Sequence, residues 1–65
     1  MELSDIVKKT RESMGLSQAK FAALIGSNQT EVSFIERGFL PTNSDKVTKI
    51  FELYNIERKK NNGKL

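Results

Sequence analysis

The chain has 65 residues, a net charge of +3, and neither cysteine nor histidine. This length fits one small domain, and the missing residue types exclude disulfides, cysteine–histidine zinc sites and histidine-based catalytic triads. No apolar run approaches the roughly 20 residues of a membrane span, and the acidic start lacks the order of a signal peptide. We therefore expect a cytoplasmic protein without metal, cofactor, membrane contact or enzymatic activity.

The basic charge is concentrated at the C-terminal end. Residues 58–65 contain four basic and no acidic side chains, whereas residues 1–57 contain seven basic and eight acidic ones. The last eight residues cannot bury an apolar face, which predicts a disordered tail after a folded domain of residues 1–57. A basic arm attracts phosphate, but the same composition is typical of a solubilising end, and both interpretations stay open.

Spacing and capping residues predict the first two helices. The first helix is predicted over residues 4–14, where apolar residues recur at three- and four-residue steps. Ser4 is its expected acceptor for the free amides of the first turn. The second helix is predicted over residues 18–25, with Ser17 as its N-cap and Gly26 allowing the sharp turn that follows.

The second half of the chain predicts two more helices. The third begins after Asn28 and ends at Arg37, and Asn28 with Glu31 has the spacing of a capping box. The fourth is predicted over residues 44–54. Its apolar face consists of Val47, Ile50, Phe51 and Tyr54. This order of elements predicts an all-α fold, a compact bundle of four or five short helices in which helices two and three form a helix-turn-helix.

Two stretches resemble the lambda-repressor-like family, which includes the Cro and repressor proteins of phages. They are residues 16–26, LSQAKFAALIG, and residues 28–38, NQTEVSFIERG, followed by Pro41. The likeness covers roughly residues 3–56. It implies a phage or bacterial transcription regulator that binds double-stranded operator DNA with its third helix in the major groove.

Seven polar side chains are candidates for DNA contacts, and the resemblance implies this role for two of them, Gln18 and Gln29. Gln18 opens helix two at the DNA backbone, and Gln29 opens the recognition helix, where its amide donates and accepts at once, as adenine requires. The candidates are Gln18, Lys20, Asn28, Gln29, Thr30, Ser33 and Arg37. The same resemblance implies that Arg11 and Glu36 form a structural pair between helix one and helix three.

Three positions depart from the pattern of a plain DNA-binding helix. Glu31 brings a carboxylate to the recognition helix, where it suits either the capping box with Asn28 or a contact to cytosine N4. Phe34 occupies a surface position where the family often has a polar side chain, and suits either a thymine methyl or a protein partner. Ser27 replaces an apolar residue of the turn.

Phe39 and Leu40 follow closely on Phe34, and two interpretations remain open. They either fold under the loop and complete the core or form an exposed apolar surface with Phe34. The second case favours an alternative function, a modulator that binds another repressor protein and alters its DNA binding. Its partner-binding residues are Glu31, Phe34, Phe39 and Leu40. A homodimer is compatible with the sequence, although no clear dimer element follows Ile56.

Overall fold

The computed structural model describes residues 2–65 of the chain. Its helices are α1 (Leu3–Ser13), α2 (Gln18–Leu24), α3 (Gln29–Glu36) and α4 (Ser44–Lys60), and the described residues contain no strand. α2 and α3 pack together, while α1 packs against both α3 and α4. The all-α bundle with a helix-turn-helix formed by the second and third helices is therefore confirmed, with four helices in the described part of the chain.

One apolar core holds these helices together. Its buried side chains are Ile6, Val7, Phe21, Ala22, Ile25, Val32, Ile35 and Ile50. Every helix contributes to this set, and a fully buried side chain of this kind stabilises the fold by about 1.5–3 kcal/mol. The buried stripe predicted for helix one is present, with Ile6, Val7 and Thr10 buried in α1. No helix of residues 2–65 is long and apolar enough to cross a membrane.

The predicted caps around the helix-turn-helix are formed. The Ser17 hydroxyl oxygen accepts from the Lys20 amide at 3.2 Å, and Asn28 Oδ1 accepts from the Glu31 amide at 2.8 Å. Between the two helices, Gly26 has a φ of +70°, a conformation that residues with a Cβ rarely adopt. These local features set where α2 ends and where α3 begins.

The first helix begins one residue earlier than predicted, and Ser4 is not its N-cap. Glu2 precedes the helix without a side-chain capping bond, and its backbone carbonyl accepts from the amides of Asp5 and Ile6, each at 3.1 Å. Ser4 therefore lies inside the first turn, where its hydroxyl has no role as a cap.

The fourth helix differs from its prediction in both its buried face and its end. Phe51, predicted to be buried, is 41% exposed, whereas Leu53 packs against the core. α4 also continues past Tyr54, the predicted end, as far as Lys60. Residues 58–60 are thus helical where a disordered tail is predicted, and the division of the chain after residue 57 stays a prediction.

Polar contacts with α1 explain the longer α4. Glu57 is only 5% exposed, and its carboxylate accepts from the Ser13 hydroxyl at 3.0 Å and lies 3.2 Å from Lys60 Nζ. Asn61 Nδ2 donates to the Ser13 hydroxyl oxygen at 3.2 Å and to the Glu57 carbonyl oxygen at 2.7 Å. The end of α4 is held against the end of α1 by hydrogen bonds, which an apolar pattern does not register.

Candidate nucleic-acid interface

One face of α3 and its C-terminal end points away from the core. Its side chains are Gln29, Thr30, Ser33, Phe34 and Arg37, called the α3 face below. At 3.6 residues per turn they span about 140° of the helix circumference. Val32 and Ile35 lie on the other side and are buried, so the core fixes the orientation of this face.

The polar side chains at the start of the α3 face are available to a ligand. Within residues 2–65, no hydrogen bond engages the side chains of Gln29, Thr30 or Ser33, and Gln29 and Thr30 are exposed. A free glutamine amide both donates and accepts, which is the combination that the major-groove edge of adenine requires. The first turn of α3 therefore offers the chemistry needed to bind base edges.

A charged network joins α1 and α3 beside this face. Arg11 of α1 donates from Nε and Nη2 to the carboxylate of Glu36 at 2.7 and 3.1 Å, and from Nη1 to the Leu16 carbonyl at 3.0 Å. The hydrogen bond with Glu36 raises the pKa of Arg11. The expected link between the first and third helices is thus present in the structure.

Gln18 takes part in the same network. Its Nε2 donates to Glu36 Oε1 at 3.2 Å, and its side chain is partly buried at the start of α2. A glutamine amide has two N–H donors, so one remains for an acceptor outside the protein, such as a phosphate oxygen. Glu36 thereby orients Gln18.

Three more of the residues predicted to contact DNA lie on or next to α2 and α3. Lys20 is exposed on α2, and Asn28 is exposed immediately before α3. Because Asn28 uses its carbonyl oxygen as the helix cap, its NH₂ group remains available as a donor. Arg37 follows the last turn of α3, where its guanidinium carbon lies 5.0 Å from the centre of the Phe34 ring. All three candidates can donate to phosphate oxygens.

The Glu31 carboxylate is held by Lys46 and Ser27, and only half of the predicted capping box is formed. Its backbone amide donates to Asn28, but its carboxylate accepts from Lys46 Nζ at 2.7 Å and from the Ser27 hydroxyl. The hydrogen bond with Lys46, followed by that with Ser27, lowers the pKa of Glu31. The ion pair with Lys46 offsets the negative charge of Glu31 that a phosphate would meet. The hydrogen bond to the same carboxylate gives Ser27, in the turn, a structural role.

Lys46 was not among the predicted site residues. It lies on α4, 15 positions along the chain from Glu31. No local spacing indicates a contact between two helices that far apart in sequence.

An apolar surface lies beside the α3 face. Phe34, Phe39 and Leu40 are 43%, 61% and 76% exposed, and the rings of Phe34 and Phe39 meet edge to face at 5.8 Å. Together with Glu31 they border a shallow pocket of about 250 Å³. Phe39 and Leu40 are therefore not part of the core, and the four candidate partner-binding residues are neighbours.

A model of the helix-turn-helix family matches residues 7–60, which include most of α1 and all of α2, α3 and α4. No curated protein and no solved structure matches the chain. The family match covers more than half of the chain, and the helices that it spans form the expected bundle. The chain belongs to the lambda-repressor-like helix-turn-helix family of DNA-binding transcription regulators.

Proposed function

We propose that the chain is a phage or bacterial transcription regulator that binds operator DNA with α3 in the major groove. The observation that carries the proposal is the unpaired, exposed start of α3, where Gln29 and Thr30 face solvent while Val32 and Ile35 anchor the helix. Recognition helices of this kind contact base edges with their N-terminal residues. Gln29 and Thr30 therefore bind bases first.

The neighbouring donors position the protein on the DNA backbone. Lys20 and Arg37 supply positive charge, and Gln18 supplies an N–H that Glu36 orients. Contacts to phosphate fix register and orientation, whereas contacts to base edges supply sequence preference. Cations that neutralise phosphates also release counterions, so the affinity falls as salt rises.

The test is a selection from a randomised duplex library, followed by fluorescence anisotropy of a labelled selected duplex at about 50 and about 200 mM salt. We expect binding at least about 10³-fold tighter than to a scrambled duplex of the same composition, weaker at the higher salt. The stoichiometry at saturation distinguishes one copy per duplex from the two that a palindromic site requires. Equal affinities for the selected and scrambled duplexes would overturn the proposal.

A control separates specific binding from attraction by the C-terminal charges. In the control variant, the basic residues after Glu57 are all changed to glutamine. They are Arg58, Lys59, Lys60 and Lys64. We expect this variant to keep its preference for the selected duplex, because the preference comes from α3, while its affinity for both duplexes falls.

The apolar surface beside α3 favours a second candidate function, that of a modulator which binds another repressor protein. Leu40 is 76% exposed at the border of the 250 Å³ pocket, and contiguous exposed apolar surface of this kind often marks a binding site for another protein. The test measures the operator affinity of a purified lambda-repressor-like protein from the same genome, with and without this chain. A modulator changes that affinity, and Leu40→Ala removes the change; an unaltered affinity would rule this candidate out.

A further inference from the structure

Phe34 is the apolar member of the α3 face, whose other side chains are polar. It is 43% exposed, lies one turn beyond Thr30 on the same side of the helix, and is followed one turn later by Arg37. With α3 in the major groove as proposed, a ring in this position faces the DNA together with its polar neighbours. It must therefore contact some chemical group of the bound DNA.

The Phe34 ring is held in place before any ligand arrives. The Arg37 guanidinium covers it at 5.0 Å from the ring centre, and the Phe39 ring meets it at 5.8 Å with an interplanar angle of 65°. A side chain restrained on two sides loses little conformational freedom on binding. Arg37 also keeps a positive charge beside the ring.

A phenyl ring cannot form a hydrogen bond with the polar edge of a base. The apolar group that the major groove presents is the C5 methyl of thymine, and 5-methylcytosine carries the same group at the same position. We infer that Phe34 binds the C5 methyl of a pyrimidine in the operator and thereby contributes to sequence preference. This inference rests on the proposed function, because it requires α3 to lie in the major groove.

The spacing along α3 indicates where that pyrimidine lies. Phe34 lies five positions after Gln29, which corresponds to about 7.5 Å of helix rise. The pyrimidine that Phe34 binds is therefore expected at a different base pair from the one that Gln29 contacts.

The test removes single methyl groups from a selected duplex. Each thymine is replaced in turn by uracil, which lacks the C5 methyl and keeps the same hydrogen-bonding edge. The wild-type protein is expected to bind one such duplex about fourfold more weakly, the effect of one methyl group leaving an apolar contact. Phe34→Ala and the length-matched Phe34→Gln are expected to bind the thymine and uracil duplexes equally.

A matched control uses an aromatic residue outside the interface. Phe51 on α4 is 41% exposed, close to the value for Phe34. Phe51→Ala is expected to keep the fourfold preference for thymine. Circular dichroism of all three variants identifies any that fail to fold, and the two Phe34 variants provide independent measurements.

A second pair of duplexes tests the methyl group in another base. Cytosine and 5-methylcytosine are placed at the sensitive position, and the wild-type protein is expected to prefer the methylated duplex. The tighter of the thymine and 5-methylcytosine duplexes identifies the natural source of the methyl. Equal affinities for the cytosine and 5-methylcytosine duplexes would contradict the inference.

These measurements distinguish the absence of a methyl contact from the absence of specific DNA binding. A thymine preference that persists in both Phe34 variants, or is absent from the wild type, would overturn the methyl contact while specific DNA binding stands. A protein that binds no duplex specifically would overturn the proposed function and this inference with it. Loss of binding to a repressor protein in Phe34→Ala, with the thymine preference unchanged, would also overturn the methyl contact.

Discussion

Arg11 and Glu36 face each other across α1 and α3, with Arg11 Nε 2.7 Å from Glu36 Oε2 and Nη2 3.1 Å from Oε1. The Glu36 side chain is 6% exposed, and it also accepts from Gln18 of α2 at 3.2 Å. One carboxylate therefore connects three helices. This connection links the last turn of α3 to the start of α2.

Removing Glu36 is expected to destabilise the domain strongly. Glu36→Ala leaves the Arg11 guanidinium, 18% exposed, without its partner, which costs about 3 kcal/mol. Urea unfolding followed by circular dichroism measures this loss. The control is Glu52→Ala, because Glu52 and Lys49 are both more than half exposed at 3.7 Å and such pairs contribute about 0.5 kcal/mol or less. Equal losses in the two variants would contradict the structural role of Glu36.

The ion pair between Glu31 and Lys46 is expected to make stability depend on pH. The contacts with Lys46 and Ser27 lower the pKa of Glu31 below its ordinary value of 4.5. A lowered pKa contributes stability that is present above 4.5 and is lost as pH falls through the folded-state pKa. Glu31→Gln is therefore less stable than the wild type at neutral pH, by less than about 1 kcal/mol, and equally stable in acid.

Urea unfolding at several pH values checks this dependence, with Lys46→Gln as a matched background. Without the cation, Glu31→Gln changes the pH profile less, because the largest cause of the lowered pKa is gone. A stability difference between the wild type and Glu31→Gln that stays constant from neutral to acid pH would contradict the assignment.

Replacing Thr10 with valine is expected to cause no loss of stability. It is fully buried, and its Oγ1 is the one buried side-chain polar atom without a hydrogen-bond partner in residues 2–65. Burying an unpaired hydroxyl costs about 1–3 kcal/mol, and valine has a similar shape without that cost. Thermal unfolding of Thr10→Val is expected at or above the wild-type temperature. The comparison variant is Thr48→Val, which removes a hydroxyl that donates to the Ser44 carbonyl at 3.1 Å. This variant is expected to show no rise in the unfolding temperature.

Glu57 is expected to hold the last turn of α4. Glu57→Ala removes the acceptor for Ser13 and the partner of Lys60, so residues 58–61 open more readily. Their amide hydrogen exchange is expected to accelerate about tenfold, which corresponds to about 1.4 kcal/mol of local stability. Glu52→Ala on the same helix is the control. Unchanged protection of residues 58–61 in Glu57→Ala would show that the extension does not depend on this contact.

Much of the fold follows from patterns that act over a few residues. Caps such as Ser17 and Asn28, and the turn at Gly26, depend on hydrogen bonds and dihedral angles within four residues of each position. Apolar spacing likewise places residues such as Ile50 in the core. Because these causes are local, the helices and the turn between them were predictable.

The remaining features depend on contacts between residues far apart in sequence. Ser13 and Glu57 are 44 positions apart, and their hydrogen bond extends α4 beyond the end that apolar spacing predicts. The orientation of the Glu31 side chain depends on Lys46, which lies on another helix. The exposure of Leu40 was equally undecidable, since its apolar character suits either the core or a surface and only the packing of the loop distinguishes the two.

In the proposed complex with DNA, α3 contacts the bases and Gln29 is the first residue to do so. The most direct measurement compares wild type, Gln29→Ala and Gln18→Ala on the selected duplex and on duplexes with each base pair changed in turn. Gln29→Ala is expected to lose about 1–3 kcal/mol of discrimination at one base pair, whereas Gln18→Ala is expected to weaken binding uniformly, because contacts to the DNA backbone carry no sequence information. Discrimination by Gln29→Ala that equals that of the wild type at every position would show that Gln29 does not contact a base.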